Sequence, residues 1–250
     1  MRRIAVVSDV HGNLPALEAV LADIAARGID RVFCLGDLAG KGPDGARVVD
    51  ICRERCEVVV RGNWDEMLDQ TPKGPVLDWY RDELGPERVA WLGGLPFAHD
   101  FTLSGQNVRL LHASPQGTFH RVHQAGPIEP MLAMFDTTDL TDPAFVPDVV
   151  GYGDIHTAYV RSFHRQMLFN AGSVGNPLDL RMATYAILEG EPGPGSGGSF
   201  GIQIARVPYD IERALADARR AGLPEYAAYE FELTTGRYRR AMPQPTSPVT

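Results

Sequence analysis

The sequence predicts an α/β fold, because short apolar runs rich in β-branched residues alternate with amphipathic stretches. Three such runs, each ending in polar residues beside a glycine, cover Ile4 to His11, Arg31 to Leu38 and Val58 to Asp65. Their polar ends recur at an interval of 26 residues, from His11 to Asp37 and from Asp37 to Asn63. One helix and two turns fit this interval, so the runs predict parallel strands joined by helical crossovers.

The stretches between these runs have the spacing of helices. Asn13 to Arg27 begins with a capping asparagine, has Pro15 in its first turn and repeats apolar residues at helical intervals. Further helices are expected over Pro43 to Arg55 and Trp64 to Gln70. Thr71 to Leu95 is expected to cover one face of the molecule, with a helix from its proline at position 86 onwards.

The second half of the chain is expected to consist mainly of strands, and its first two flank a hairpin turn at residues 104–106. The expected strands are Ala98 to Leu103, Asn107 to His112, Pro147 to Gly153, Ala158 to His164, Gln166 to Asn170, Arg181 to Leu188 and Phe200 to Val207. A helix over Tyr209 to Ala221 follows. We expect one domain over residues 1–250, with a flexible loop over 190–199 and a loose tail over 241–250.

Composition excludes several classes of protein. The chain has 250 residues, 44% of them hydrophobic, and a formal net charge of −8, which argues against general nucleic-acid binding. No apolar run is long enough to span a membrane, and no signal peptide precedes the first strand, so we expect a cytoplasmic protein. Three cysteines fit reduced core thiols. Lys41 follows the second strand and is either a substrate contact or a solvated residue.

Polar side chains that can bind metal follow five of the predicted strands. They are Asp9 and His11, Asp37, Asn63, His112, and Asp154 and His156. Asp9 and His11 have the period-2 spacing of one face of an extended strand, and Asp154 and His156 repeat it. Each residue alone could cap a turn or be a structural histidine, but such a cluster costs stability unless something compensates it. Carboxylate, imidazole and amide ligands suit a pair of divalent ions such as Mn²⁺, Fe²⁺ or Zn²⁺.

The motifs, in order, resemble those of the calcineurin-like metallophosphoesterase superfamily. They are the DVH of residues 9–11, the GD of 36–37, the GN of 62–63, His112 and the GDIH of 153–156. The segment Asn170 to Pro177, NAGSVGNP, resembles one in the small bacterial phosphodiesterase branch of that superfamily. The resemblance covers roughly residues 4 to 210.

This resemblance implies a four-layer α/β/β/α sandwich of two mixed sheets, with two divalent ions at the sheet edges. Mn²⁺ is the ion we expect, with Fe²⁺, Zn²⁺, Ni²⁺ and Mg²⁺ as alternatives. By match, Asp9, His11 and His156 would hold the first ion, Asp37 would bridge, and Asn63, His112 and Asp154 would complete the second site. A metal-bridging hydroxide would then attack phosphorus in line, with Asn63 also stabilising the developing charge.

Two positions depart from the family pattern. Trp64 stands where a histidine usually acts near the leaving group, so we expect His120, His123 or a metal-bound water to donate that proton, and Arg121 to contact the phosphate. Each of these loop residues could equally be solvated. Trp64 could stack on a base or fill the core. Asp154 stands where another histidine is usual, which favours Mn²⁺ or Mg²⁺ and could weaken the second site.

The function expected is metal-dependent phosphodiester hydrolysis of a small phosphoester or nucleotide. The enzymatic alternatives are a dinucleoside polyphosphate hydrolase and a phosphomonoesterase (phosphatase). A non-catalytic protein-binding scaffold on the same fold is the alternative from another class. Trp79, Tyr80 and Trp91 could form an exposed apolar patch that supports a homodimer, or could fill a core.

Overall fold

Two mixed five-stranded sheets form the centre of the protein. They are seen in a computed structural model that describes residues 2–70, 74–193, 195 and 198–242. The first sheet contains β1 (Arg2–Val7), β2 (Arg31–Cys34), β3 (Val58–Val59), β9 (Ala183–Gly190) and β10 (Gly201–Val207), in the order β10-β9-β1-β2-β3. Strands β1, β2 and β3 are parallel, and β9 is antiparallel to both of its neighbours.

The second sheet has a parallel centre and antiparallel edges. It contains β4 (Ala98–Leu103), β5 (Gln106–Leu111), β6 (Val149–Tyr152), β7 (Tyr159–Phe163) and β8 (Gln166–Asn170), in the order β4-β5-β6-β8-β7. Strands β5, β6 and β8 run parallel, so their carboxyl ends lie on one edge. The predicted hairpin joins β4 to β5.

Helices cover the outer faces of both sheets. They are α1 (Leu14–Ala26), α2 (Gly45–Arg55), α3 (Asn63–Gln70), α4 (Pro75–Gly93), α5 (Ile128–Leu132), α6 (Ile211–Ala221) and α7 (Tyr226–Thr235), with 3₁₀ turns at Ala133–Phe135 and Arg239–Ala241. Most of them pack on the first sheet, whereas α5 and the turn after it pack on the second. None of the helices in the described part of the chain is both long and apolar enough to cross a membrane.

Successive side chains along each strand point to opposite faces of the sheet, and this alternation explains the layers. In β1, Ile4 and Val6 join a core between the two sheets, while Ala5 and Val7 face the helices. The predicted four-layer sandwich of two mixed sheets is therefore confirmed.

Helical content is higher than the sequence patterns suggested. Helix α4 begins at Pro75, well before the expected start, and continues past a kink at Gly85, whose φ is +73°. Helix α7 was not predicted, because Glu225 at its start offers no side-chain cap. Of the two alternatives for Trp79, Tyr80 and Trp91, the structure supports the core, since Tyr80 is buried and both tryptophans pack against the helix-side core.

Parts of the loop predicted to be flexible and of the tail predicted to be loose lie outside the described residues. They are residues 194, 196 and 197 of the loop and residues 243–250 of the tail. The described end of the chain, up to Met242, includes a 3₁₀ turn.

Gly36 should tolerate no side chain, because a Cβ there would overlap the backbone of Gly62 and lie 2.8 Å from the Val60 oxygen. The backbone φ of +91° at this position would also strain any residue that has a side chain. We expect Gly36→Ala to lower the free energy of unfolding by about 3 kcal/mol or more. The matched control is Gly28→Ala, with φ +65° and open space, which should cost about 1 to 2 kcal/mol. Urea unfolding of both variants checks this, and equal losses would contradict it.

Candidate metal centre

The seven predicted ligands meet at one edge of the two sheets. Asp9 and His11 follow β1, Asp37 follows β2, Asn63 begins α3, His112 follows β5, and Asp154 and His156 follow β6. All seven are buried. The parallel arrangement of strands in both sheets causes this convergence, because parallel strands end on the same side.

Two overlapping groups of side chains could each hold a cation. Asp9, His11 and His156 form the first group, and Asp9, Asp37 and His112 form the second. Within each group the ligand atoms lie within 4.8 Å of one another. Asp37 directs Oδ2 towards His11, at 3.6 Å, and Oδ1 towards His112, at 3.5 Å. Asp37 thus belongs to the second group and also faces a histidine of the first, so its carboxylate is placed where it could bridge two cations.

The backbone at these residues is left-handed. The φ angles are +54° at Asp9, +49° at His11, +54° at Asp37, +60° at Asp154 and +58° at His156. The expected period-2 placement on an extended strand is therefore wrong, since β1 ends at Val7 and β6 at Tyr152. Non-glycine residues in this region carry strain of about 1 to 3 kcal/mol each, which accumulates typically at functional sites.

Backbone hydrogen bonds between neighbouring loops compensate this strain. The N–H groups of Asp9 and His11 donate to the carbonyls of Gly36 and Asp37, at 3.0 and 2.9 Å. The N–H of Gly12 donates to Leu38 at 2.8 Å. These hydrogen bonds therefore join the loops after β1 and β2, which carry three of the predicted ligands, Asp9, His11 and Asp37.

The histidines have their outer nitrogens fixed by the backbone. Nδ1 of His11, His112 and His156 contacts the carbonyl oxygens of Ala39, Leu35 and Asn176 at 3.3, 2.7 and 2.6 Å. A carbonyl only accepts, so each Nδ1 carries a hydrogen and each Nε2 is the nitrogen that faces inwards, where it can offer a lone pair once it is deprotonated. This arrangement is typical of metal-binding histidines.

Inward-facing acceptors lack protein donors. Nε2 of His11 and Nε2 of His156 lie 3.1 Å apart, and His156 Nε2 is 3.2 Å from Asp9 Oδ1. Asp9 Oδ1 and His112 Nε2 are buried and have no hydrogen-bond partner. Buried acceptors that face one another are costly unless a cation lies between them. The residues present therefore fit divalent ions.

The pKa values of the clustered groups are strongly shifted by burial and by their neighbours. Burial lowers the pKa of His11 well below its usual value, and the positive charges of His156 and Lys41 add to this. Burial raises the pKa of Asp37 well above its usual range. Burial also disfavours the charged form of His112, but the carboxylates of Asp37, Asp9 and Asp154 outweigh it and raise the pKa to about 9.

Asp65 supports the centre and was missed as a functional residue. Its buried carboxylate accepts from the N–H groups of Asp37, Leu38 and Gly62 at 2.8, 3.1 and 2.8 Å. It thereby fixes the loop of Asp37 to the loop of Asn63. An acidic residue two positions after Asn63, in the first turn of α3, was the available signal.

Hydrogen bonds from the segment of residues 170–177 hold the loop after β1 in place. Ser173 Oγ donates to the Asp9 carbonyl at 2.7 Å, and Gly175 N–H donates to the same carbonyl at 3.0 Å. Asn13 Nδ2 donates to the Gly175 carbonyl at 2.8 Å. The motif therefore holds the backbone that carries Asp9 and His11.

A cavity of about 460 Å³ opens beside the ligands. Its walls add residues outside the ligand set, namely Lys41, Trp64, Arg121, His123, Ile155, Thr157, Leu178, Tyr238, Arg239 and Arg240. The structure thus places Trp64, Arg121 and His123 at the site, as the sequence suggested. His120 instead lines a separate depression with Glu66 and Phe119.

Trp64 is wedged between the centre and the core. Its indole makes edge contacts with the rings of His11 and Tyr80, at centroid distances of 6.0 and 5.7 Å. A side chain at Gly40 would overlap this indole. Trp64 therefore packs against the core and also lines the cavity, and its stacking on a base stays a prediction.

The C-terminal wall of the cavity could not be foreseen from motifs. Lys41 is buried, and its Nζ donates to Asn176 Oδ1 at 2.8 Å and to Glu232 Oε2 at 3.3 Å. Glu232 also accepts from Asn176 Nδ2 and Arg239 Nε, at 3.0 and 2.9 Å. This network joins α7 to the loop after β2. Lys41 is therefore paired rather than solvated.

Comparisons with known proteins agree with this geometry. The chain is 31% identical to the uncharacterized protein MJ0912 of Methanocaldococcus jannaschii, over 89% of this chain and 94% of that protein. It is 27% identical to phosphodiesterase YfcE of Escherichia coli, over 76% and 89% of the two chains. The crystal structure of a metallophosphoesterase from Sphaerobacter thermophilus superposes with a TM-score of 0.75 and 28% identity, covering 94% of this chain and 99% of that one.

A family model describes the part of the chain that carries the ligands. The model of the calcineurin-like phosphoesterase superfamily domain matches residues 1–193, which include all seven. Strand β10, helices α6 and α7 and the Tyr238 to Arg240 wall lie beyond that match. The chain therefore belongs to the calcineurin-like phosphoesterase superfamily.

Proposed function

We propose that this protein is a metal-dependent phosphodiesterase that hydrolyses a small phosphoester or nucleotide. The observation that carries the proposal is a set of buried, inward-facing polar atoms, namely the Nε2 atoms of His11 and His156, which face each other, and Asp9 Oδ1 and His112 Nε2, which have no hydrogen-bond partner among the described residues. The similarity to a protein named as a phosphodiesterase supports the choice of diesters.

Two divalent cations complete the proposal. Asp9, His11, His156 and Asp37 would hold the first, and Asp37, Asn63 and His112 would contribute to the second, which Asp154 completes in the prediction made from sequence. The mixture of carboxylate, imidazole and amide groups without thiolate favours Mn²⁺. When bound, such ions supply the Lewis acidity that activates a water and neutralises phosphoryl oxygens.

The remaining side chains position the substrate and move a proton. Arg121 lines the cavity and binds a phosphoryl oxygen. His123 is exposed on the cavity wall and is the group we propose as the proton donor to the leaving oxygen. Trp64 offers its indole to an aromatic part of the substrate. His120 takes no part, because it lies on the other depression.

The cavity wall favours one of the alternatives as a second candidate. Arg121 and Arg240 add positive side chains, Lys41 and Arg239 add cations that are paired with Glu232, and Trp64 and Tyr238 add aromatic surfaces. Such walls suit a substrate with several phosphates and a base, as in dinucleoside polyphosphates. A phosphomonoesterase or a protein-binding scaffold has no comparable observation in its favour. The free thiols of Cys34, Cys52 and Cys56 fit the cytoplasm as the proposed compartment.

Metal binding should release protons. Because the pKa of His112 is raised to about 9 without metal, this ring is protonated at pH 7.5 and must lose its proton to bind a cation. We expect close to one proton released per His112-bound ion at pH 7.5, and an affinity that rises with pH up to about 9. Calorimetric titration of Mn²⁺ in buffers of different ionisation enthalpy measures this. His164→Asn, at an exposed turn, should leave the proton count unchanged, and a buffer-independent heat would refute the assignment.

Hydrolysis of bis(p-nitrophenyl) phosphate should depend on metal and on Asp37. We expect metal-stripped protein to be inactive and to recover with Mn²⁺. Asp37→Asn should lose at least about 100-fold in kcat/KM, because this carboxylate faces both groups of ligands. Asp139→Asn, at an exposed position, is the matched control and should keep wild-type activity. Binding of two ions without hydrolysis of this ester would indicate an enzyme restricted to a special substrate, whereas failure to bind any metal would favour the scaffold.

Trp64→His should extend the range of leaving groups. An imidazole at this position could protonate an alkoxide, whereas p-nitrophenolate leaves unaided. We expect the rate on thymidylyl-thymidine to rise about 10-fold or more relative to that on bis(p-nitrophenyl) phosphate. Trp64→Phe controls for lost volume and should not change this ratio. An unchanged ratio in Trp64→His would show that position 64 does not face the leaving oxygen.

A further inference from the structure

The carboxylate of Asp154 is already engaged by other side chains. Its Oδ2 accepts from Arg121 Nε at 2.8 Å, and its Oδ1 accepts from Arg121 Nη2 at 2.7 Å. Asn63 Nδ2 also donates to Oδ1, at 2.9 Å. Among the described acidic and histidine residues of the centre, Asp154 alone belongs to neither group of potential ligands.

The environment of this pair makes it strong. The side chain of Asp154 is 1% exposed, so the parallel two-point contact with the guanidinium is shielded on the carboxylate side. The side chain of Arg121 is 45% exposed and lines the cavity. A buried carboxylate without this partner would be an uncompensated charge. The pair is therefore a fixed part of the cavity wall.

The pair also orients the amide of Asn63. Because Nδ2 donates to Asp154, the amide oxygen of Asn63 is left as the atom that can face a cation. Asp154 thus contributes to the second ion position by turning a ligand, while its own oxygens stay with Arg121. The positive guanidinium beside them disfavours a further cation at that carboxylate.

We infer that Asp154 is the anchor of Arg121 and not a ligand of the second ion, so that the two ion positions differ in affinity and Arg121 sets the difference. The inference rests on the proposed function, which supplies the two ions. The second position keeps Asp37, Asn63 and His112, with one protein ligand fewer than the first. Arg121 then provides a permanent positive charge at the side where that ligand is missing.

The test is a titration of the metal-stripped full chain with Mn²⁺, followed by the electron paramagnetic resonance signal of free Mn²⁺. We expect wild-type protein to bind one ion at least about tenfold more tightly than the second. Arg121→Gln frees the carboxylate of Asp154, so the second ion should bind about tenfold more tightly. Arg240→Gln is the matched control, because it removes a positive charge from the same cavity wall without freeing a buried carboxylate. It should change the second affinity by less than about threefold.

A double variant separates the two roles of Asp154. Arg121→Gln with Asp154→Asn replaces an ion pair of zero net charge by two uncharged side chains. The affinity for the second ion should therefore stay within about threefold of wild type. If Asp154 were a ligand, the double variant would lose tenfold or more and Arg121→Gln would bring no gain. Either result, or two equal affinities in the wild type, would overturn the inference. Absence of any bound Mn²⁺ would overturn the proposed function together with it.

Discussion

Burial of carboxylates and imidazoles at one sheet edge is the constraint on which the rest of this structure depends. Three histidines direct Nε2 at the carboxylates of Asp9 and Asp37, and Asp9 Oδ1 and His112 Nε2 have no hydrogen-bond partner within the described part of the chain. Such a cluster persists only because the surrounding loops hold it. Loop-to-loop hydrogen bonds, the carboxylate of Asp65 and the segment of residues 170–177 all serve that purpose. The backbone strain in this region therefore lowers folding stability in return for a geometry that suits cations.

Much of the fold, and the convergence of the candidate ligands at one sheet edge, could be predicted from sequence, because both depend on local patterns. Apolar runs with polar ends indicate parallel strands, and the ends of parallel strands must meet. The left-handed backbone at Asp9 and Asp154 could not be predicted in this way, since the loop-to-loop hydrogen bonds that impose it join distant parts of the chain. A two-residue spacing is the same in a strand and in a tight loop.

The environment of Asp154 was beyond sequence reasoning for a related reason. A motif shows that an aspartate replaces a histidine, but its partner, Arg121, lies 33 residues away on an irregular segment. Helix α7 is a second case, because it lacks a capping side chain and packs through Tyr229 and Leu233 without a strong apolar face. Its functional contribution, Glu232, is a buried acid that has meaning only once Lys41 is placed beside it.

The network of Lys41, Asn176 and Glu232 connects the cavity wall to helix α7. Lys41 lies in the first fifth of the sequence, and its buried charge has Glu232 as its acidic partner, near the other end. During synthesis from the N-terminus, the strands and loops that carry all seven ligands are complete before α7 has been made. Until α7 docks, Lys41 lacks that partner and the wall of Tyr238 to Arg240 is missing. The order of translation thus separates synthesis of the candidate ligands from completion of the cavity wall.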